Sequence, residues 1–423
     1  MERKISESAK ITAQIPKFIV KILSRHNASE IIAKYVPVDG TFLFMDISGF
    51  TSLSENLSRF GREGTEILTQ QISSYFEIAL ESFFEYGGDV VKFGGDALTI
   101  FFEKSVDEAI SNNILRACKS SLVALNSLQG YIVKTPFGDF ELKAKIGISF
   151  GSNSFLLLGE EDNRLEYIFS GVSVDCSAEA EHNAKPLEIV FDKDTFLKVE
   201  NLCNASKVSE NFLKLISLNS EPKIINQEKL DEVDVQRLKN FIIPSVYGQI
   251  KAGGEKLLSD HRPVIPCFVS FPSFELESEK GCEIIQKYFL KIIELLKGFG
   301  GSFNRMDTGD KGSKFLCFFG APETYADNEE RAVAFSLELK KLEKEITQIK
   351  GQSIGITSGI AYCGLVGSPI RQEYTIMGDV VNVSARLMTL AKGTILVSDE
   401  VREKTKKKFK YSAKKKISLK GKS

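Results

Sequence analysis

A stretch of about one hundred residues recurs in this chain, and that repeat limits the fold more than any other feature. Tyr75-Phe76 opens an amphipathic helical run that closes at Gly87-Gly88, and Tyr288-Phe289 opens another that closes at Gly300-Gly301, an offset of 213 residues at both points. Lys145-Ile146-Gly147-Ile148 answers Ser353-Ile354-Gly355-Ile356 at offset 208, and Glu166-Tyr167 answers Glu373-Tyr374 at offset 207. Small drifts between matched points are what loop-length changes between two copies of one domain produce. The 423 residues are enough for two such domains, and with 43% hydrophobic and 26% charged residues both copies can bury real cores.

Each copy reads as an α/β unit. Apolar strands at Val38–Asp46 and Cys267–Phe271 lead into helices of about 20–30 residues, and glycine-bounded hairpins follow. A helix over Val106–Leu128 or Asn328–Ile349 comes next, then further strands and a last helix. The expected organisation is an N-terminal amphipathic segment at 1–37, a first domain at 38–200, a linker at 201–257 with some helix near Lys229–Phe241, and a second domain at 258–423.

Charge and composition narrow the function. The net charge of −1 gives no global field for nucleic acid, although residues 401–423 hold 11 basic residues against one acid, Glu403. No run of 18 apolar residues occurs, so no membrane-spanning helix is expected, and the polar start and seven cysteines without CxxC spacing fit a cytoplasmic protein. His26, His182 and His261 are the three histidines and stand far apart, which disfavours histidine-based metal sites and nucleophilic triads.

Two carboxylates stand out in the first copy. Asp46 ends the strand Phe42–Met45 where a helix begins, beside amides suited to phosphate. Alone it reads equally as a helix cap. Asp96 sits at the Gly94-Gly95 hairpin, a place that favours Asp for local reasons. Hairpin and strand can be neighbours in one sheet, and Mg²⁺ asks for one or two carboxylates plus substrate phosphates. The second copy has Ser270 opposite Asp46 and, by hairpin alignment, Lys314 opposite Asp96 and Lys311 opposite Phe93 or Lys92. Conversely the second copy has Thr375, Asn382 and Arg386 where the first has Ile168, Asp175 and Glu179, and Asn382 and Arg386 share one helix face.

These residues resemble a class III nucleotidyl cyclase with tandem catalytic homology domains, closest to the soluble, bicarbonate-responsive type of adenylyl cyclase. Phe44-Met45-Asp46-Ile47-Ser48-Gly49-Phe50-Thr51, Val91-Lys92-Phe93-Gly94-Gly95-Asp96-Ala97 and Glu373-Tyr374-Thr375-Ile376-Met377-Gly378-Asp379-Val380-Val381-Asn382-Val383-Ser384-Ala385-Arg386 carry the likeness. It implies an α+β fold, with two ferredoxin-like, palm-type domains in a pseudo-symmetric, head-to-tail intramolecular dimer, and a monomeric chain. It further implies that Asp46, Asp96 and the Ile47 carbonyl bind two Mg²⁺ ions, with Mn²⁺ able to substitute. The amides of Gly49, Phe50 and Thr51, with Lys145, would hold the triphosphate of ATP. Lys311 and Thr375 would read adenine, Asn382 would orient the ribose, and Arg386 would face the α-phosphate.

The base readers have a physical logic. Lysine can donate to adenine N1 and a threonine hydroxyl can accept from the 6-amino group, whereas guanine presents the reverse pattern. One composite site and one degenerate pseudo-site are therefore expected. In the bicarbonate-responsive relatives the pseudo-site takes a regulatory anion with a Lys and an Arg. Lys92 matches the Lys, but Ser177 stands in the Arg's place, which weakens anion binding. Relatives continue past Leu419-Lys420-Gly421 with a final strand, so the second domain is expected to lack one. The competing reading, from another class, is a catalytically inactive nucleotide- or anion-sensing module.

Overall fold

The structure, a computed structural model, describes residues 6–136, 138–225, 234–254, 258–273, 276–307 and 312–412, without the side chains of 51, 52, 55, 58, 62 and 65. The first domain is built on β1 (Tyr35–Ser48), β2 (Asp89–Phe93) and β3 (Ala97–Glu103), a small separate hairpin β4 (Ile132–Thr135) and β5 (Gly138–Glu141), then β6 (Lys143–Gly159), β7 (Leu165–Ser170), β8 (Ile189–Asp192), β9 (Cys203–Lys207) and β10 (Phe212–Leu218). Its sheet runs β2-β3-β1-β6-β8-β10-β9, with β7 on β6. The second domain uses β11 (Asp260–Phe271), β12 (Ser302–Asp307), β13 (Ser313–Phe319), β14 (Ser353–Ile356), β15 (Gly359–Ser368), β16 (Arg371–Met377) and β17 (Ile395–Val397), in the order β12-β13-β11-β14-β17. Its β15 pairs with β11 and β16. The same plan appears twice, as the repeat requires.

Local chemistry explains the long helices. Ser278 caps Glu279–Phe299 by accepting from the Gly281 amide at 3.1 Å, and Cys282, Ile285, Tyr288, Phe289, Ile292 and Leu296 bury one face at helical spacing. The chain leaves that helix through Gly300, whose φ of 70° is left-handed. In the first copy the corresponding run is two helices, Phe50–Ser58 and Gly61–Glu85, and the second begins at Gly61 with φ 57°. The helix expected over 328–349 stops at Lys341 and continues as two short 3₁₀ turns. That expected over 106–128 starts at Ile110.

The stretch 201–257 is not simply a linker. Residues 203–218 form the β9–β10 hairpin, hydrogen-bonded to β8, and Cys203 and Leu215 enter the first core. Polar residues in the intervening turn dilute the apolar alternation of Phe212–Leu218, which hides the strand in the composition. The strand expected from Val38 begins at Tyr35. Among the described residues of the Lys229–Phe241 segment, helix runs over Val235–Phe241; residues 226–233 lie outside the described residues.

The domains interlock reciprocally. Leu156 and Leu158 of β6 and Ile168 of β7 enter the second domain's core, while Tyr362 and Val366 of β15 and Met377 of β16 enter the first domain's core. Gln286 and Gly159 exchange hydrogen bonds of 2.9 and 2.8 Å across this contact. A third cluster joins the N-terminal helices Glu7–Thr12 and Lys17–Arg25 to both sheets, through Ile11, Phe18 and Leu23 against Phe101, Phe155, Phe318 and Ile376.

Candidate active site

Asp46 lies near the C-terminal end of β1, between Ala97 of β3 and Lys145 of β6 in the strand register. The Ile47 amide donates to the Asp96 carbonyl at 3.2 Å, which ties the hairpin to the end of β1 and brings both carboxylates to one sheet edge. Burial raises Asp46 to about 6, helped by the negative charge of Glu181 and opposed by Lys145. Burial and then the charge of Asp46 raise Asp96 to about 7. Two acids that resist ionisation together are the signature of a site short of positive charge. This donor set suits a divalent cation: two hard carboxylate ligands brought to one sheet edge, of the kind that Mg²⁺ takes together with substrate phosphates.

The turn after β1 follows from the backbone. Gly49 adopts φ 95° and precedes the helix Phe50–Ser58. A Cβ there would stand 3.0 Å from the Glu141 carbonyl besides straining the backbone, so glycine is what this turn accepts. The first amides of that helix, at Phe50 and Thr51, therefore open beside Asp46. Lys145 is engaged within its own domain: its Nζ lies 2.5 Å from Glu181 Oε1.

In the second domain, Thr375 is buried on β16, its hydroxyl 3.4 Å from Asn304 Oδ1. Asn304 Nδ2 donates to the Tyr374 carbonyl at 3.2 Å, so β12 and β16 are fastened beside Thr375. Lys311 lies outside the described residues. Asn382 and Arg386 lie half-buried on the helix Asp379–Ala391, which packs on β14 and touches the first domain's helix Phe50–Ser58. Thus the helix Phe50–Ser58 of one domain meets the helix Asp379–Ala391 of the other.

Strand registers correct two expected correspondences. Ser270 pairs with Lys314 and Ser353, as Asp46 pairs with Ala97 and Lys145. The partner of Asp96 in the second copy is therefore Ser313, not Lys314. On the outer strands, Lys92 pairs with Thr99 and Arg305 with Leu316, which makes Arg305, not Lys311, the counterpart of Lys92. The two cations then act symmetrically: Lys92 Nζ donates to the Met306 carbonyl, and Arg305 Nη1 donates to the Phe93 carbonyl at 2.7 Å. Lys92 also pairs with Asp307 at 3.0 Å, and the charges of Lys92 and Arg305 outweigh desolvation and hold the half-buried Asp307 carboxyl well below the usual range. Arg305 stands near enough to Asp96 to favour its ionisation.

At the pseudo-site, Ser177 is buried and donates to the Val174 carbonyl at 2.8 Å. Glu166 lies beside Lys92 and Arg164, yet burial still raises it to about 7. Arg305, Asn304 and Glu181 are residues that motif reading passed over. Arg305 was open to a strand-by-strand alignment of the copies, but the others act through neighbours distant in sequence.

Residues 267–423 match the Adenylate and Guanylate cyclase catalytic domain family. Over 394 residues the chain is 28% identical to "Adenylate cyclase type 10" of Homo sapiens and 27% to that of Oryctolagus cuniculus; the match covers 84% of this chain. The chain spans 24% of the length of those relatives. A solved class III adenylyl cyclase-like ATP-binding protein from Pseudomonas aeruginosa shares the fold, with a TM-score of 0.59 at 14% identity, over 88% of this chain and 86% of that one. The chain is therefore similar to class III nucleotidyl cyclases, in sequence over its second half and in fold over most of its length, and the plan of that fold is present twice. Among the described residues no helix is long and apolar enough to cross a membrane.

Proposed function

We propose that this chain is an adenylyl cyclase that converts ATP to 3′,5′-cyclic AMP and pyrophosphate at one composite site. The observation that carries this reading is the division of labour between copies. Asp46 and Asp96 share a sheet edge in the first domain, and the second domain has Ser270 and Ser313 at those register positions. The second domain in turn has Asn382 and Arg386, where the first has Asp175 and Glu179.

Two Mg²⁺ ions held by Asp46, Asp96 and the Ile47 carbonyl would supply activation of the ribose 3′-hydroxyl and charge neutralisation of the triphosphate. The chain's own residues do the rest. Amides of Gly49, Phe50 and Thr51 and the Lys145 ammonium bind the triphosphate; Asn382 orients the ribose. Arg386 meets charge that builds on the α-phosphate during in-line attack, so its loss should lower turnover more than substrate affinity. Thr375, fixed near Asn304, and Lys311 favour adenine over guanine, because mismatched donors in a buried pocket are costly. At the pseudo-site a regulatory anion would bind weakly: Lys92 is committed to Asp307, and Ser177 brings no cation.

The test is cyclic-nucleotide production from ATP and from GTP with Mg²⁺ or Mn²⁺, comparing wild type with Asp96→Ala and Arg386→Ala. Cyclic AMP from wild type alone supports the composite site. ATP binding without any product would hand the site to the inactive sensing reading.

A further inference from the structure

Lys145 and Asp46 face each other across β1 and β6. A lysine opposite a carboxylate in adjacent strands would ordinarily close on it, and that pairing would compete with a metal ion for Asp46. Here the ammonium is taken instead by Glu181 on the helix Val172–Asn183: Nζ lies 2.5 Å from Oε1 and also donates to the Glu181 main-chain carbonyl at 3.4 Å, so side-chain variants remove the charge and leave that second contact. The Glu181 side chain is 2% exposed and its second oxygen, Oε2, lies 3.2 Å from His182 Nδ1. Its backbone is equally fixed, because the helix sits directly on Gly147: a Cβ at that position would overlap the Ser177 carbonyl and the Glu181 amide. The second domain supplies an internal control. A Cβ on Gly355 would overlap the Ser384 carbonyl and the Met388 amide, so Met388 is the counterpart of Glu181, as Ser353 is of Lys145. Both members of the ion pair are thus absent together from the copy that lacks Asp46.

We propose that Glu181 is a positioning residue of the triphosphate site: it draws the Lys145 ammonium away from Asp46 and fixes it at the edge of the sheet, which leaves Asp46 open to a metal ion and Lys145 aimed at phosphate. The inference rests on the cyclase reading and on the role given there to Lys145. A carboxylate so deeply placed is retained at a cost unless its partner needs it.

The experiment is calorimetric binding of Mg²⁺-pyrophosphate and, separately, of adenosine to the full chain carrying Glu181→Gln, Lys145→Ser or both. Glu181→Gln is expected to weaken pyrophosphate binding about tenfold and adenosine binding less than about twofold, and to have no further effect once Lys145 is Ser. The same tenfold loss in the Lys145→Ser background would show that Glu181 acts without the lysine and would overturn the proposal. So would no loss, or an equal loss for adenosine. If Glu181→Gln does not fold, Glu181→Met, which copies the second domain, gives the same comparison. Wild type that binds neither probe defeats the cyclase reading and this inference with it, whereas wild-type binding without coupling between positions 145 and 181 defeats this inference alone.

Discussion

Asp96 sets a conflict between stability and use. Its folded-state pKa of about 7 lies above the ordinary 3.8, so the fold prefers the protonated acid and tolerates the carboxylate poorly. The penalty is absent below about pH 4, where the acid is protonated folded or unfolded, and grows as pH rises from there to about 7. Asp96→Asn should therefore stabilise the ligand-free protein at pH 8, by about 1–2 kcal/mol after discounting for the partial exposure of the side chain, and should gain nothing at pH 4. Thermal unfolding at the two pH values checks this, and the same variant should make no cyclic AMP. Asp46, raised to about 6, adds a second consequence. Protons compete with cations for both acids, so Mn²⁺ affinity should fall as pH drops from 7.5 to 5.5, with proton release on binding measurable by calorimetry in buffers of different ionisation enthalpy. Affinity independent of pH over that range would remove these two acids as the ligands.

The helix Asp379–Ala391 shows how an element delivers chemistry that its own sequence does not explain. It carries Asn382 and Arg386, and its distance from the sheet is set by Gly355 of β14, where any side chain would collide with the helix backbone at Ser384 and Met388. Gly355→Ala should push the helix outward, cost about 3 kcal/mol or more, and reduce cyclic AMP formation even at temperatures where the variant remains folded. Full activity in folded Gly355→Ala would separate helix seating from function. The repeat, both carboxylates and the Asn382/Arg386 face could be read along the chain because each rests on local patterns: glycine punctuation, a strand running into a helix, residues four apart on a helix. Glu181, Asn304 and the arms that carry Leu158 and Val366 into the opposite core left no such trace. Their partners lie tens to hundreds of residues away, and nothing in a periodicity records which domain a buried face will meet. The β9–β10 hairpin was hidden for a simpler reason: each of its strands is shorter than the polar surroundings in which a composition window averages it.

At the scale of the molecule, the two halves of the site belong to one chain whose domains are held from behind by its N-terminus. Phe18 packs its ring against Phe101, Phe155 and Phe169 at centroid distances of 5.3–5.5 Å, and its amide donates to the buried Asp89 carboxylate at 2.8 Å. Arg371 of β16, 2% exposed, reaches from the second domain to the Val90 carbonyl at 2.8 Å and the Gln14 carbonyl at 3.1 Å, so N-terminal segment, first sheet and second sheet share one buried cation. Phe18→Ala should cost about 3–5 kcal/mol, and because the cluster spans the interface, the loss should appear in both domains in hydrogen exchange rather than in the first alone. Such a seam also decides whether domains trade partners. A chain with Asp96→Ala keeps an intact second domain, and one with Arg386→Ala keeps an intact first domain. If the domains could pair between chains, mixing the two inactive variants would rebuild a working site from the unaltered halves. The reciprocal arms and the N-terminal seam would all have to open for that exchange, so the mixture should stay inactive over hours at room temperature. Recovery toward a quarter of wild-type activity would show instead that the composite site assembles between copies as readily as within one, and would replace the monomeric reading with a dimer of exchanged domains.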